Sequence, residues 1–456
     1  MAKAKIYYRD IGDYMSRDEK LEIIKDLKSI DNPDMNWQTL TPNEHNDWIN
    51  HRNDKFSEFI PLAPEKKFDG KAKSVFTAYS LGVATNKDVY MYNSSKGKLH
   101  NIVQDMVDFY NEERNNSNLT PNYEVKYDTS KIVWTDMFLK SLKNNEIFKL
   151  NKDRFSASLY RPFFQQNFCY QKELIQRTYQ QTKLFPLPNL ENLVICVSGI
   201  GASKDFSALI TDKIPDLQVM FNGQCFPLYW YEEIKQEKTL FDSLAESENG
   251  HYARRDAISD FALNQARNQY GNKTTKEDIF YYVYGFLHNP DYRNEFASDL
   301  KKMLPRIPFV GDSTIFWKYV KAGRELAALH LNYEDYAHES GATVDINNSV
   351  YDNFEVNKMR FPSKDDKSTI IYNPYIKISN IPAEAYEYVV NGKSAIEWIM
   401  ERYQITSHKE SGIVNDPNDW AREHNKPRYI LDLLLSIIAI SIRTVELVKG
   451  LPKVEF

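Results

Sequence analysis

The chain has 456 residues, enough to bury a large core, and its 42% hydrophobic and 14% aromatic content excludes a disordered polymer. A net charge of −5 with 27% charged residues describes an ordinary water-facing surface and excludes a uniformly basic coat. Three scattered cysteines, Cys169, Cys196 and Cys225, provide neither a Cys-x-x-Cys metal pair nor an even disulfide set.

In chain order, the start Met1-Ala2-Lys3-Ala4-Lys5-Ile6 lacks the apolar core of a signal peptide, and a cytoplasmic location is expected. Ser16 with Glu19 forms a capping-box pattern, and Leu21, Ile24 and Leu27 follow at helical spacing, predicting a helix over 17–28 that packs on a neighbouring sheet. His45 and His51 do not share a helical face and no His-Glu-x-x-His pattern occurs, so no metal is expected. Residues 73–92 alternate and end in Val89-Tyr90-Met91-Tyr92, a strand pattern, before a helix over 99–111 with Leu99, Val103, Met106 and Tyr110 on one face. The Asn-rich stretch 112–122 reads as a linker.

Runs over 193–198, 217–221 and 226–231 read as strands, with Asn222-Gly223 supplying a tight turn between the last two. Helices dominate from 276 onward. Tyr292, Phe296, Leu300 and Leu304 make one stripe stopped by Pro305; Ser394 and Glu397 cap a helix bearing Ile396, Ile399, Met400 and Tyr403; the last long helix covers 428–448. Its apolar run, 433–442, is about half the ~20 residues of a bilayer span, so no membrane contact is expected. The expected class is α+β: a mixed N-terminal portion over 1–120, a strand-rich middle over 121–275 and a helical part over 276–456.

No catalytic residue emerges from these elements. Asn289-Pro290-Asp291, Asn373-Pro374-Tyr375 and Asp416-Pro417-Asn418 each lack the second proline of the turn that receives a flipped-out base amine, and read as turn or helix-start punctuation. Gly199-Ile200-Gly201-Ala202-Ser203-Lys204 has neither the spacing of a P-loop nor the third glycine of a dinucleotide loop, and reads as a strand connection. Asp216, Glu233 and Lys235 have the loose letter pattern of a Mg²⁺-dependent nuclease, which stays open as an alternative, as does a protein-interaction scaffold.

Local charge says more than the total. Residues 143–183 hold eight Lys/Arg against three Asp/Glu, interleaved with aromatics, and make Arg154, Arg161, Lys172 and Arg177 candidates for phosphate contact. Lys393, Arg402 and Lys409 are further candidates near the end of the chain, although Asn391-Gly392 and Ser394 are explained by a turn and a cap alone. Ser203, Lys204, Gln218, Asn222 and Gln224 sit at loop tips of the strand-rich region, where Asn and Gln can pair bidentately with adenine and Lys with guanine.

Several ordered blocks carry a resemblance: Gly82-Val83-Ala84-Thr85-Asn86-Lys87-Asp88, Tyr160-Arg161-Pro162-Phe163, Tyr281 through Arg293, Met303 through Pro308, Gly323-Arg324-Glu325-Leu326 with Leu329 through Glu334, Asn391-Gly392-Lys393-Ser394, and Ser411 through Asn418. Together they resemble the C-terminal specificity region of Type ISP restriction-modification enzymes, single-chain bacterial enzymes carrying nuclease, helicase-like motor, adenine methyltransferase and target-recognition domain in succession. The resemblance implies that 1–120 holds the end of a methyltransferase-like fold and its connection, and that the rest recognises double-stranded DNA. It also implies that S-adenosylmethionine, ATP and Mg²⁺ belong to upstream methyltransferase and helicase-like domains, leaving the fragment without a cofactor or chemistry of its own.

Overall fold

The structure, a computed structural model, describes residues 4–12, 15–120, 122–188, 190–234, 252–347 and 353–456. Met1, Ala2 and Lys3 of the leader reading, Pro121 of the linker reading and Lys235 of the nuclease reading lie outside the described residues.

Ser16 caps the Arg17–Leu27 helix as expected, its side chain accepting from the Glu19 N–H at 3.3 Å while the Glu19 carboxylate accepts from the Ser16 N–H at 2.6 Å. The helix does not pack on a sheet, contrary to expectation: none of its residues is buried, and Leu21 and Ile24 stay exposed. The neighbouring strand pair, Ile6–Tyr8 with Gln38–Leu40, is only three residues long on each side and offers too little surface to cover it.

Two cores follow, and both draw on all three sequence segments. In the first, a four-stranded sheet ordered Ile214–Pro215, Phe155–Arg161, Phe164–Cys169, Tyr92–Asn93 packs with the Lys96–Leu119, Ala395–Arg402 and Tyr429–Lys449 helices. Val103, Phe168 and Ile437 therefore share one interior. In the second, an antiparallel sheet ordered Ser80–Leu81, Gln224–Pro227, Val194–Val197, Ala208–Thr211 is backed by the Asp260–Tyr270, Lys276–Phe286 and Ser313–Leu331 helices, so that Phe76, Phe226 and Tyr284 meet. Helix and strand mix throughout without a barrel, which agrees with the α+β expectation. Among the described residues no helix is long and apolar enough to cross a membrane.

Four local expectations are corrected. Val89-Tyr90-Met91-Tyr92 is mainly a helical turn, Asp88–Met91, with only Tyr92–Asn93 in a strand; Thr85 starts it by bonding Asp88 and the Lys87 N–H, and so short an apolar run cannot by itself distinguish a buried turn from a strand. The 112–122 stretch is largely helical, because the Lys96–Leu119 helix continues through it on a buried stripe that ends in Glu113. That carboxylate is fully enclosed yet satisfied, accepting from the Tyr123 hydroxyl at 3.0 Å and the Lys126 N–H at 2.7 Å. Residues 217–221 form a compact turn, not a strand, with the Gly223 N–H donating to the Leu217 carbonyl at 2.9 Å. The stripe from Tyr292 to Leu304 is broken at Phe296 into two short helices, Pro290–Glu295 and Ala297–Lys302.

Two glycines of the family-like blocks have a packing reason. The Lys276–Phe286 and Ser313–Leu331 helices cross so closely that a Cβ on Gly323 would lie 1.9 Å from the Tyr281 carbonyl oxygen, and one on Gly285 would lie 2.5 Å from that of Tyr319. Backbone cannot yield as a flexible side chain does. Gly323→Ala is expected to cost at least about 2 kcal/mol by forcing the helices apart, measurable as a lower denaturation midpoint.

Candidate nucleic-acid interface

The second sheet gathers most of the base-reading candidates at one end. Gln224 opens its strand opposite Val197, so the connection leaving Val197 and the turn entering Gln224 lie side by side. They are locked together: the Gly199 N–H donates to the Phe221 carbonyl at 2.8 Å, and a Cβ on Gly199 would meet the Asn222 carbonyl oxygen at 2.2 Å. Asn222 adopts the left-handed region at φ 46°, and its side chain accepts from Gln218 at 3.5 Å. The Asn222-Gly223 turn thus exists, but it does not join a hairpin: Ile214–Pro215 pairs in parallel with Ser158 and Leu159, whereas Gln224–Pro227 pairs with Val194–Val197. Gln218 and Asn222 are exposed and Gln224 is half-buried.

Beneath this turn lies Asp216, the residue that shapes it. Its buried carboxylate accepts from the Gln218 N–H at 2.8 Å, from Arg161 at 2.7 Å and from the Tyr92 hydroxyl at 3.3 Å. Burial pushes the carboxyl up to about 7 while Arg161 pulls it down. Arg161 in turn stacks on the Tyr160 ring at 3.8 Å, lies 3.7 Å from Asp88 and has a side chain only 13% exposed. Arg161 is thus committed to an internal ion pair and not available to a phosphate.

The same geometry removes the support for a nuclease. Both oxygens of Asp216 are already engaged, Oδ1 by Arg161 and the Gln218 N–H and Oδ2 by the Tyr92 hydroxyl, and Glu233 belongs to a separate strand pair, Tyr229–Glu233 with Tyr252–Asp256. Among the described residues the three-ligand grouping that does occur is Glu44, His45 and Asp54, fully on the surface and apart from both.

Of the other cations, Arg154 and Lys172 come together in a cleft of about 840 Å³ that also receives Lys183, Tyr170 and Trp230, with Glu173, Glu232 and Glu233. Arg154 donates to the Pro186 carbonyl at 3.1 Å, and Lys183 lies 4.1 Å over the Phe68 ring. Lys183 was not singled out from sequence; its place at the end of the basic 143–183 run was the available signal. Arg177 is exposed on a separate segment that bridges to Ala84. The four sequence candidates therefore do not form one continuous strip.

Near the C-terminal part, Lys393 and Arg402 both pair with Glu401 and flank the Trp398 ring, while Lys409 is exposed with no ionic partner among the described residues. Asn391 and Gly392 turn a two-residue hairpin between Val389–Val390 and Lys393–Ser394, with φ of 50° and 80°. The Ser394–Glu397 capping box is present. The Gly199–Lys204 region is a connection as expected: Gly199, Gly201 and Ala202 spend their N–H groups on Phe221, Lys301 and Gly199 carbonyls. Ser203 and Lys204 nonetheless remain exposed.

An α+β body with polar loop tips at one sheet end, and a flanking cleft in which Arg154, Lys172 and Lys183 meet Glu173, Glu232 and Glu233, has no assembled catalytic group among the described residues. The Type ISP C-terminal specificity domain family matches residues 74–433, and the chain belongs to that family. The chain is similar, at 36% identity over 99% of its length and a TM-score of 0.86, to the ATP-dependent Type ISP restriction-modification enzyme LlaBIII bound to DNA. It is also similar to a nuclease-deletion mutant of the Type ISP enzyme LlaGI in complex with a DNA substrate mimic (36% identity, 98% of this chain, TM-score 0.82) and to the DrdV–DNA complex (28%, 99%, 0.81). It spans 28%, 33% and 44% of those three chains, respectively. No curated protein sequence matches it.

Proposed function

We propose that this chain recognises a specific double-stranded DNA sequence as the specificity part of a bacterial Type ISP restriction-modification polypeptide. The reading is carried by likeness over nearly the whole chain to an enzyme solved on DNA. Its work is non-covalent: it holds the register of the duplex while methyltransferase and helicase-like domains of the same polypeptide, with S-adenosylmethionine, ATP and Mg²⁺, perform the chemistry in the cytoplasm. Gln218, Asn222, Gln224, Ser203 and Lys204 are the residues proposed to meet base edges; Arg154, Lys172, Arg177 and Lys409, joined by Lys183, are those proposed to meet phosphates.

Duplex affinity measured against salt tests this. Binding should weaken steeply as salt rises, and Lys172→Ala or Lys183→Ala should each lower the slope by about one unit for every sequence alike. Gln218→Ala should instead cost about 1–3 kcal/mol on the selected site and leave non-specific binding nearly unchanged. Binding indifferent to salt, or absent at low salt, would sink the proposal.

A further inference from the structure

A second cavity, of about 770 Å³, lies on the other side of the Ser203–Lys204 connection, between it, the short Pro290–Glu295 helix and the end of the Tyr429–Lys449 helix. Its size is within the roughly 300–1,000 Å³ of small-ligand sites. Four cations line it. Lys301 and Lys449 are matched by Asp205 at 3.5 Å and Glu387 at 2.7 Å. Arg293 and Lys204 have no carboxylate partner among the described residues. The Arg293 Nε donates to the Leu287 carbonyl at 2.6 Å, and its two terminal nitrogens have no protein acceptor there. The residue is half-buried, and desolvation without a carboxylate partner pulls the guanidinium down to about 10.

The same wall also carries a buried hydroxyl that lacks a partner. Tyr388 is 7% exposed and its hydroxyl has no hydrogen-bond partner among the described residues. Buried groups are rarely left this way unless something else completes them. The rim is built for its place: Lys204 lies against Gly392, where a Cβ would come within 2.7 Å of the lysine chain, and the Asn391 N–H donates to Ser207 at 2.9 Å.

We propose that this cavity is a binding site for a phosphoryl group, with Arg293 and Lys204 supplying charge and the Tyr388 hydroxyl donating to a phosphoryl oxygen. The planar guanidinium suits the paired oxygens of such a group. The phosphoryl group has two sources, a free phosphate monoester, which alone carries a P–OH, or a backbone phosphate of a bound duplex. The inference rests on the cavity and its unmatched groups; of those groups it shares only Lys204 with the DNA reading, and Arg293 belongs to the cavity alone.

Inorganic phosphate is the probe, titrated into the whole chain by calorimetry and by ³¹P resonance. The wild type should bind it saturably, Arg293→Gln should weaken it at least about tenfold, and Lys204→Met by roughly threefold. Circular dichroism establishes that each variant is folded; if Arg293→Gln is not, Lys204→Met decides alone. Competition by a short duplex identifies the backbone as the source, and independent binding of both identifies a free monoester; either outcome supports the site. No saturable phosphate binding by the wild type, or wild-type affinity in the folded variants, overturns it, and duplex binding that survives such a result leaves the DNA reading standing.

Discussion

Asp216→Ala is expected to destabilise the fold by about 3–5 kcal/mol, because it strips a buried arginine of its partner. Arg161 is held at 2.7 Å by Asp216, and what remains after truncation is Asp88 at 3.7 Å, itself one-third exposed. The Gln218 N–H and the Tyr92 hydroxyl lose an acceptor in the same step. Chemical denaturation at neutral pH measures the loss. Replacing the pair together, Arg161→Met with Asp216→Leu, should recover most of it, since two apolar side chains leave no stranded charge. A loss under about 1 kcal/mol for the single variant would mean that the guanidinium finds water, as a surface pair does. Because Asp216 anchors the turn carrying Gln218 and Asn222, the folded fraction of the variant should also lose site preference before it loses general affinity.

How legible this arrangement was depends on the range of the interactions. Capping boxes at Ser16 and Ser394 and the Asn391-Gly392 turn are decided within four residues, and each appears where the local pattern places it. Asn222-Gly223 shows the limit: its turn is local and present, but its flanking strands choose partners elsewhere in the chain, Ser158 and Leu159 on one side and Val194–Val197 on the other. The Arg161 error has the same origin. Local charge marks 143–183 as unusually basic, yet Asp216, which neutralises Arg161, is remote in sequence. The 112–122 stretch shows the converse, since its Asn content reads as a linker until the buried stripe ending in Glu113, satisfied by Tyr123 and Lys126, is seen to carry the helix through it. Arg293 carried no sequence signal beyond its membership in a family-like block; only its place in a cavity without a carboxylate partner among the described residues singles it out.

Acid should weaken this fold through its buried histidines, and His330 contributes the largest resolvable part. Its Nε2 lies 3.0 Å from the Thr444 hydroxyl and its Nδ1 lies 2.6 Å from the Tyr284 hydroxyl, which already accepts from the Ile210 N–H and so has its own hydrogen free for Nδ1. The ring is thereby complete in its neutral form, stacked on Tyr388 at 5.1 Å and close to His288 at 5.7 Å. Burial, and then the charge of Arg293, hold it down at about 3, far below the ordinary 6.5. Above pH 6.5 neither the folded nor the unfolded chain protonates this residue and the full stability is present. As pH falls from 6.5 towards 3 the unfolded chain takes up a proton that the fold refuses, and stability drops by about 1.4 kcal/mol per pH unit, roughly 3 kcal/mol by pH 4, before levelling off below pH 3. His288, also held well below its ordinary value by burial, pulls in the same direction. Unfolding free energies of the wild type and of His330→Gln between pH 7 and pH 4 isolate the contribution: the variant starts less stable, because a core contact is lost, but its decline should be shallower by about one proton. Parallel declines would show that His330 keeps an ordinary affinity for protons and that its neutral hydrogen-bond pattern is not what the core requires.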